Sequence, residues 1–252
     1  MQTLRTALIL SALAFAALLM PPGRSTARAA DQVDLLLVLA ADVSRSVDEP
    51  KFQLQRSGYA NALTNPRVLE AIRSGPNGKI AVIFIEWSGA TSQKVVIDWT
   101  MIGDEPSARQ FGDRIIEAPR SFADRTSISA GIDFAVTQLE HAPFEAKRRT
   151  IDVSGDGTNN AGRDVTAARD EALAKGITIN GLVILTDTPN AWNPDHTNPP
   201  GGLDAYYRNN VVGGPGAFVM VAENFRSFGT AIVNKLIAEI AMTGEPRHAS
   251  LR

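Results

Sequence analysis

The sequence predicts an α/β fold: a single doubly wound, mostly parallel central sheet with one antiparallel strand and helices on both faces. Three observations carry this. Residues 33–41 (VDLLLVLAA), 79–87 (KIAVIFIEW) and 177–185 (ITINGLVIL) are almost continuously apolar, the pattern of strands covered on both faces. Such runs alternate with segments of helical periodicity, which implies strand–helix winding about one sheet. The link from the second run to residues 95–99 (VVIDW) is short enough to imply a hairpin, so that pair should be antiparallel.

Taken in order, residues 49–63 read as a helix, with Phe52, Leu54 or Gln55, Tyr59 and Leu63 at helical spacing and Ser46 with Glu49 matching a capping box. A further turn runs through Val68, Leu69 and Ile72, and Gly75-Pro76-Asn77-Gly78 leads into the second strand. Residues 107–118 form a helix with Phe111, Ile115 and Ile116 facing the core, ended by Pro119. After a polar loop at 121–125, residues 127–139 give another helix, with Ile128, Ile132, Ala135, Val136 and Leu139 on one face. Lys147-Arg148-Arg149 reads as a solvated entrance to a short strand at 150–153. The glycine-rich loop 154–162 follows, then a helix at 164–175 closed by Gly176. Residues 186–202 are rich in Pro, Asn and Asp and suit a lid, a binding loop or a tolerated insertion, with His196 a solvated loop residue. A short helix at 203–209, a strand at 217–222 and an amphipathic closing helix at 224–242 complete the chain. Glu86 and Asp98 interrupt apolar strands, so each is either paired or at a strand end. Trp87 and Trp99 suit core or edge packing.

The 252 residues, 44% hydrophobic and 21% charged, suit one α/β domain at 30–244 with a tail at 245–252 and no internal repeat. With no cysteine, thiolate chemistry and disulfides are excluded. His141, His196 and His248 lack metal-site spacing. Residues 1–29 read as a signal peptide: Arg5, the apolar run 7–20, the break at Pro21-Pro22-Gly23 and the small-residue site Ala27-Arg28-Ala29. The apolar run is short for a membrane span, and an uncleaved anchor is the alternative. Cleavage removes Arg5, Arg24 and Arg28 from the 25 basic residues, leaving 22 against 27 acidic ones, a net charge of −5. That balance disfavours nucleic acid as a partner. The mature chain is therefore expected to be exported, periplasmic or secreted, with no membrane span.

The candidate site begins at Asp42-Val43-Ser44-Arg45-Ser46, where three oxygen-bearing side chains at i, i+2 and i+4 follow the first strand. Hard divalent cations prefer such carboxylate and hydroxyl oxygens. Thr126, opening a helix, and Asp156, in a glycine-flanked loop after a later strand, sit where the topology can bring further oxygens to the same crevice. Each motif alone has a plainer reading: Asp42 and Ser46 as helix caps, Thr126 as an N-cap, Asp156 as a turn residue. Three of them in this order, each beside a strand end or helix start, are harder to explain as separate caps.

Asp-x-Ser-x-Ser after the first strand, Arg125-Thr126-Ser127-Ile128 with Gly131, and Ser154-Gly155-Asp156-Gly157 resemble the three segments of the metal-ion-dependent adhesion site of von Willebrand factor type A domains. The resemblance covers about 33–242. Glu86-Trp87-Ser88, 151–157, Ile179-Asn180-Gly181-Leu182 and Leu203-Asp204-Ala205-Tyr206-Tyr207 leading to Gly213-Gly214-Pro215-Gly216 resemble a narrower bacterial family of exported proteins of unknown function. The resemblance implies a Rossmann-like type A fold and hydroxyl ligands from Ser44, Ser46 and Thr126. Asp42 and Asp156 would act directly or through water. The ion would be Mg²⁺, with Mn²⁺ or Ca²⁺ as alternatives. It also implies an open coordination position that a protein or peptide partner's exposed carboxylate completes. One departure is the extra Gly155 in a motif that is usually Ser-Asp-Gly, which bears on the reach of Asp156. Glu86, at the end of a strand beside the first, could support the metal. The rival is a Mg²⁺-dependent hydrolase, a phosphatase or esterase using Asp42 or Ser44, and against it stands the lack of a positioned histidine base. A type A-like fold keeping the motif only for stability is the third possibility.

Overall fold

A computed structural model describes residues 30–186 and 193–241. The signal-peptide expectation, the tail and part of the loop at 186–202 lie outside the described residues. A short strand β1 (Asp31–Gln32) precedes the central strand β2 (Leu36–Asp42), and two helices follow, α1 (Glu49–Leu63) and α2 (Pro66–Arg73). The hairpin is β3 (Ile80–Trp87) and β4 (Gln93–Ile102), leading to α3 (Glu105–Glu117) and α4 (Ile128–Glu140). Then come β5 (Phe144–Glu145), β6 (Arg149–Gly155), α5 (Val165–Ala174) and β7 (Thr178–Ile184). The described chain ends with the one-turn helix α6 (Pro194–Thr197), α7 (Leu203–Asn210), β8 (Val219–Ala222) and α8 (Phe228–Ala241).

The main sheet has the order β4-β3-β2-β6-β7-β8, parallel except for the β3–β4 hairpin. β1 and β5 pair separately as a small parallel ribbon. Every residue of β2 and β3 is buried, as their continuous apolar runs predict. Leu35, Leu37 and Leu39 face a core built with α1, α2, α3 and α8, while Leu36, Val38 and Ala40 face α4, α5 and α7. The winding therefore reverses between β2 and β6, whose carboxyl ends lie side by side with Ala41 opposite Ser154. Such a reversal opens a crevice at the strand ends. Among the described residues no helix is long and apolar enough to cross a membrane.

Several local expectations are corrected. The cap of α1 is Asp48, which accepts the Lys51 N–H at 3.0 Å, and not a Ser46–Glu49 box. Ile116 points outward, 52% exposed, so α3 buries Ala108, Phe111 and Ile115 instead. Arg148 and Arg149 are not merely solvated: Arg148 donates to the last-turn carbonyls Ile240 O (3.0 Å) and Glu239 O, and Arg149 donates to Lys175 O. Each guanidinium thus satisfies carbonyls that a helix end leaves free. Trp87 is core, but Asp98 is neither at a strand end nor in an ion pair among the described residues: it lies within β4, exposed because β4 is an edge strand of the sheet.

Behind the sheet lies a buried charge cluster that periodicity does not reveal. Lys235 of α8 stands 2.8 Å from Asp152 of β6 and also contacts Glu239 one turn on. Asn180 of β7 donates to Glu239 at 2.9 Å and accepts the Phe218 N–H at 3.1 Å. The Asp152–Lys235 contact is ionic, since neither Asp152 oxygen receives an aligned hydrogen bond, and burial raises the Asp152 pKa to about 7 despite Lys235. The cluster ties the closing helix to the strand that carries Asp156. Lys235→Met should lower unfolding free energy by about 3–5 kcal/mol in urea melts, because two buried acids lose their one ammonium partner.

Candidate metal centre

The structure brings Asp42, Ser44, Ser46 and Asp156 together at the carboxyl ends of β2 and β6, and Thr126 lies on a neighbouring loop tied in through Asn160 and His196. Asp42 ends β2, and its Oδ1 accepts the Ser44 N–H at 2.7 Å, which folds the following loop back over the strand. Ser44 Oγ lies 3.1 Å from Ser46 Oγ, and the Ser46 hydroxyl donates to Asp156 Oδ1 at 2.5 Å. Thr126 stands just before α4 and is almost fully buried. Caps are supplied by neighbours: Asp48 for α1 and Ser127 for α4, which accepts the Ala130 N–H at 3.3 Å. The plain capping readings of Ser46 and Thr126 thus give way: the Ser46 hydroxyl turns to Asp156 and the Thr126 hydroxyl to His196.

The loops are stitched to one another mostly through backbone groups. Arg45 N–H donates to Asp124 O at 3.0 Å, and Arg120 donates to Val43 O (2.7 Å) and Ser44 O (2.9 Å). Asn160 donates its N–H to Thr126 O at 2.8 Å and accepts the Thr126 N–H on its side-chain oxygen at 3.0 Å. Glu86 is not a cation neighbour by contact. It pairs with buried Arg56 and accepts the Ser121 N–H at 2.8 Å, anchoring the loop that leads to Thr126.

Sequence reasoning missed two side chains. His196 is buried, its Nε2 3.2 Å from Thr126 Oγ1 and its Nδ1 3.2 Å from Thr158 Oγ1 and 3.3 Å from Asn160 Nδ2. The loop therefore folds back over the site, held also by Thr158 N–H to His196 O at 2.9 Å. Tyr207 of α7 is fully buried against the same strand ends. A Cβ on Gly155 would lie 2.5 Å from Tyr207 Oη and 3.1 Å from Asp42 Oδ2, and one on Gly157 would lie 2.3 Å from the His196 ring. The extra glycine is thus the space that Tyr207 and Asp42 occupy. Only Pro194, favourable at a helix start, hinted at structure near His196.

Electrostatically the crevice is short of positive charge. Asp42 Oδ2, Asp156 Oδ2 and Tyr207 Oη are buried without a hydrogen-bond partner. Burial first, then the Asp156 charge, raises the Asp42 pKa to about 7. Burial also raises Asp156, against the Ser46 hydrogen bond and the Lys51 and His196 charges. Burial lowers the His196 pKa. The nearest cation is Lys51 Nζ, 3.9 Å from Asp156 Oδ2 and donating to Ser46 O at 2.7 Å. Among the described residues no three His, Asp or Glu side chains cluster as a metal site. The set that could hold a hard cation is two carboxylates and three hydroxyls, and the unpartnered carboxylate oxygens fit one.

The fold is that of von Willebrand factor type A-like proteins. Residues 32–244 match the family described as "Protein of unknown function (DUF1194)", and the chain belongs to that family. No curated protein matches it. Among solved structures it is similar to proximal thread matrix protein 1 from the mussel byssus with a zinc-occupied MIDAS motif. That likeness has a TM-score of 0.56 and 14% identity, over 84% of this chain and 48% of that one. It is also similar to the pilus adhesin SpaC from Lactobacillus rhamnosus GG, with a TM-score of 0.57 and 14% identity, over 83% of this chain and 31% of that one. The chain spans less than half the length of either protein, and at this identity the likeness is one of fold.

The Asp42 shift gives a signed pH dependence for chelator-treated protein. A carboxyl whose folded pKa is raised contributes stability below its unfolded value near 3.8, and that stability is lost as pH rises toward about 7. The melting temperature of chelated protein should therefore fall between pH 5 and pH 7.5, and fall less in Asp42→Asn. Scanning calorimetry with and without chelator checks this.

Proposed function

We propose that the chain is an exported, metal-dependent protein-binding module. In this reading Ser44, Ser46, Thr126, Asp42 and Asp156 hold Mg²⁺, with Mn²⁺ or Ca²⁺ as alternatives, and a partner's acidic group completes the coordination. The observation that carries it is a pair of buried carboxylates that each keep an unpartnered oxygen, with the Ser46 hydroxyl on Asp156 and Ser44 Oγ against Ser46 Oγ. A hard cation bound through few carboxylates retains positions for water or an incoming anion. Ser46, half-buried, is the one residue of the five open to solvent, so a partner would approach on its side. The surroundings suit an anion: exposed Arg45 and Arg125 and half-buried Arg120 form no ion pair among the described residues, and Lys51 stands beside Ser46. The adhesin and byssal matrix protein that share the fold lend support at the level of fold.

The hydrolase reading has one observation in its favour, a histidine beside the crevice. Both ring nitrogens of His196 face Thr126, Thr158 and Asn160, however, and Ser44 Oγ faces Ser46, so neither candidate nucleophile has a histidine base beside it. The cation would supply Lewis acidity toward an anion, and the chain's residues would orient it and exclude water around the carboxylates.

Isothermal titration should give Mg²⁺ or Mn²⁺ binding heats for the mature wild type and none for Asp42→Ala. Equal heats, or none for either, overturn the cation reading. Capture of an acidic protein from the exported proteome should require the cation and be lost with chelator. Metal-dependent turnover of generic phosphatase or esterase substrates, abolished in Asp42→Ala, would assign the site to a hydrolase instead.

A further inference from the structure

The long loop's contribution to the site can be worked out from hydrogen-bond donors alone. Asn160 is anchored on both sides: its side-chain oxygen accepts the Thr126 N–H at 3.0 Å, and a backbone N–H can only donate. The amide therefore cannot be flipped, and its Nδ2 is the atom 3.3 Å from His196 Nδ1. An amide NH₂ also only donates, so Nδ1 is an acceptor and carries no proton. In the neutral ring the proton then lies on Nε2, which faces Thr126 Oγ1 at 3.2 Å. Thr158 Oγ1, 3.2 Å from Nδ1, can add a second donor to the same nitrogen. His196 thus donates to Thr126 Oγ1, leaving that oxygen its own proton and one lone pair for its two remaining directions.

We propose that His196 is a positioning residue of the cation site, acting through Thr126. Its Nε2–H, fixed as the donor by Asn160 and Thr158 on Nδ1, occupies one lone pair of the Thr126 hydroxyl and keeps the other available to a cation held by Asp42 and Asp156. The inference rests on the cation reading above. It extends the site to residues 193–198, a stretch with no part in the three-segment motif. Burial of His196 within the one-turn helix α6, and the close approach of Gly157 that admits its ring, are what this placement requires of the fold. A hydrogen bond that orients a metal ligand typically changes metal affinity by about 10–100-fold when removed.

The test uses the mature protein with Mn²⁺ as the probe, read by electron paramagnetic resonance titration. His196→Leu should weaken Mn²⁺ binding about tenfold or more. His196→Gln keeps an N–H donor near the Nε2 position and should stay within about threefold of wild type. In a Thr126→Ala background, His196→Leu should cause no further loss, since its target is gone. A ¹H–¹⁵N long-range spectrum of chelated protein, with the signal assigned by its absence in His196→Gln, should show the proton on Nε2. Wild-type affinity in His196→Leu, an undiminished loss in the Thr126→Ala background, or a proton on Nδ1 overturns the proposal while leaving the cation reading standing. Absence of Mn²⁺ binding by the wild type overturns both.

Discussion

Two carboxylates buried at the ends of adjacent parallel strands are the constraint around which this crevice is arranged. Asp42 and Asp156 cannot both stay ionised in an apolar environment without compensation, and the loops around them act as that compensation in part. The Ser44 N–H and the Ser46 hydroxyl each take one carboxylate oxygen, while Lys51 stays at 3.9 Å, too far for a hydrogen bond. One oxygen of each carboxylate is left over. A fold selected only for stability would replace such a pair with apolar side chains, since an uncompensated buried charge is among the costliest defects a core can carry. The economy of the surroundings points the same way. Asp48 and Ser127 take the capping work, so Ser46 and Thr126 need not.

Much of this was legible in the sequence because it follows from local chemistry. Buried parallel strands must be apolar on both faces, so β2, β3 and β7 announced themselves, and a hairpin must have a short linker, so β4 did too. The strand ends then placed Asp42 and Asp156 in one crevice. What sequence could not give is contact between distant segments. His196 lies 70 residues from Thr126, in a stretch whose composition is that of a solvated loop, and nothing in its spacing says that it returns to the site. Ile116 shows the reverse error: helical spacing allowed it on the core stripe, but α3 packs with Ile115 inward and Ile116 turned to water. Lys235 and Glu239 were hidden because an amphipathic pattern treats every charged residue as outward-facing.

The strand β6 links the two polar regions of the molecule. Asp152 and Ser154 point to the α1–α8 face, where they meet Lys235 and the Tyr59 hydroxyl, which donates to Ser154 Oγ at 2.8 Å. Two residues beyond Ser154 the chain leaves the sheet at Asp156. The polar groups behind the strand therefore fix its position along the sheet, and the ionic contacts resist the sliding that purely apolar packing would permit. An apolar core tolerates such shifts more readily than a pair of charges that must meet at 2.8 Å. The placement of Asp156 opposite Ser46 depends on that register as much as on its own loop.

The same buried carboxylates would set how a cation and the solvent compete in the proposed reading. The Asp42 pKa is raised to about 7, so near neutral pH a divalent ion would contend with a proton for this carboxylate. Binding the ion would displace the proton, and its apparent affinity would then strengthen with pH until the carboxyl is fully ionised. A partner's acidic group would add a third charge, attracted by the cation and repelled by the two carboxylates. Proton, cation and partner would thus be linked: the factor by which a bound cation strengthens capture is the factor by which a bound partner strengthens cation affinity. A site built this way would respond to its ionic surroundings. That behaviour suits a reversible binding module more than a permanent structural staple, for which complete enclosure of the ion by protein oxygens would serve better.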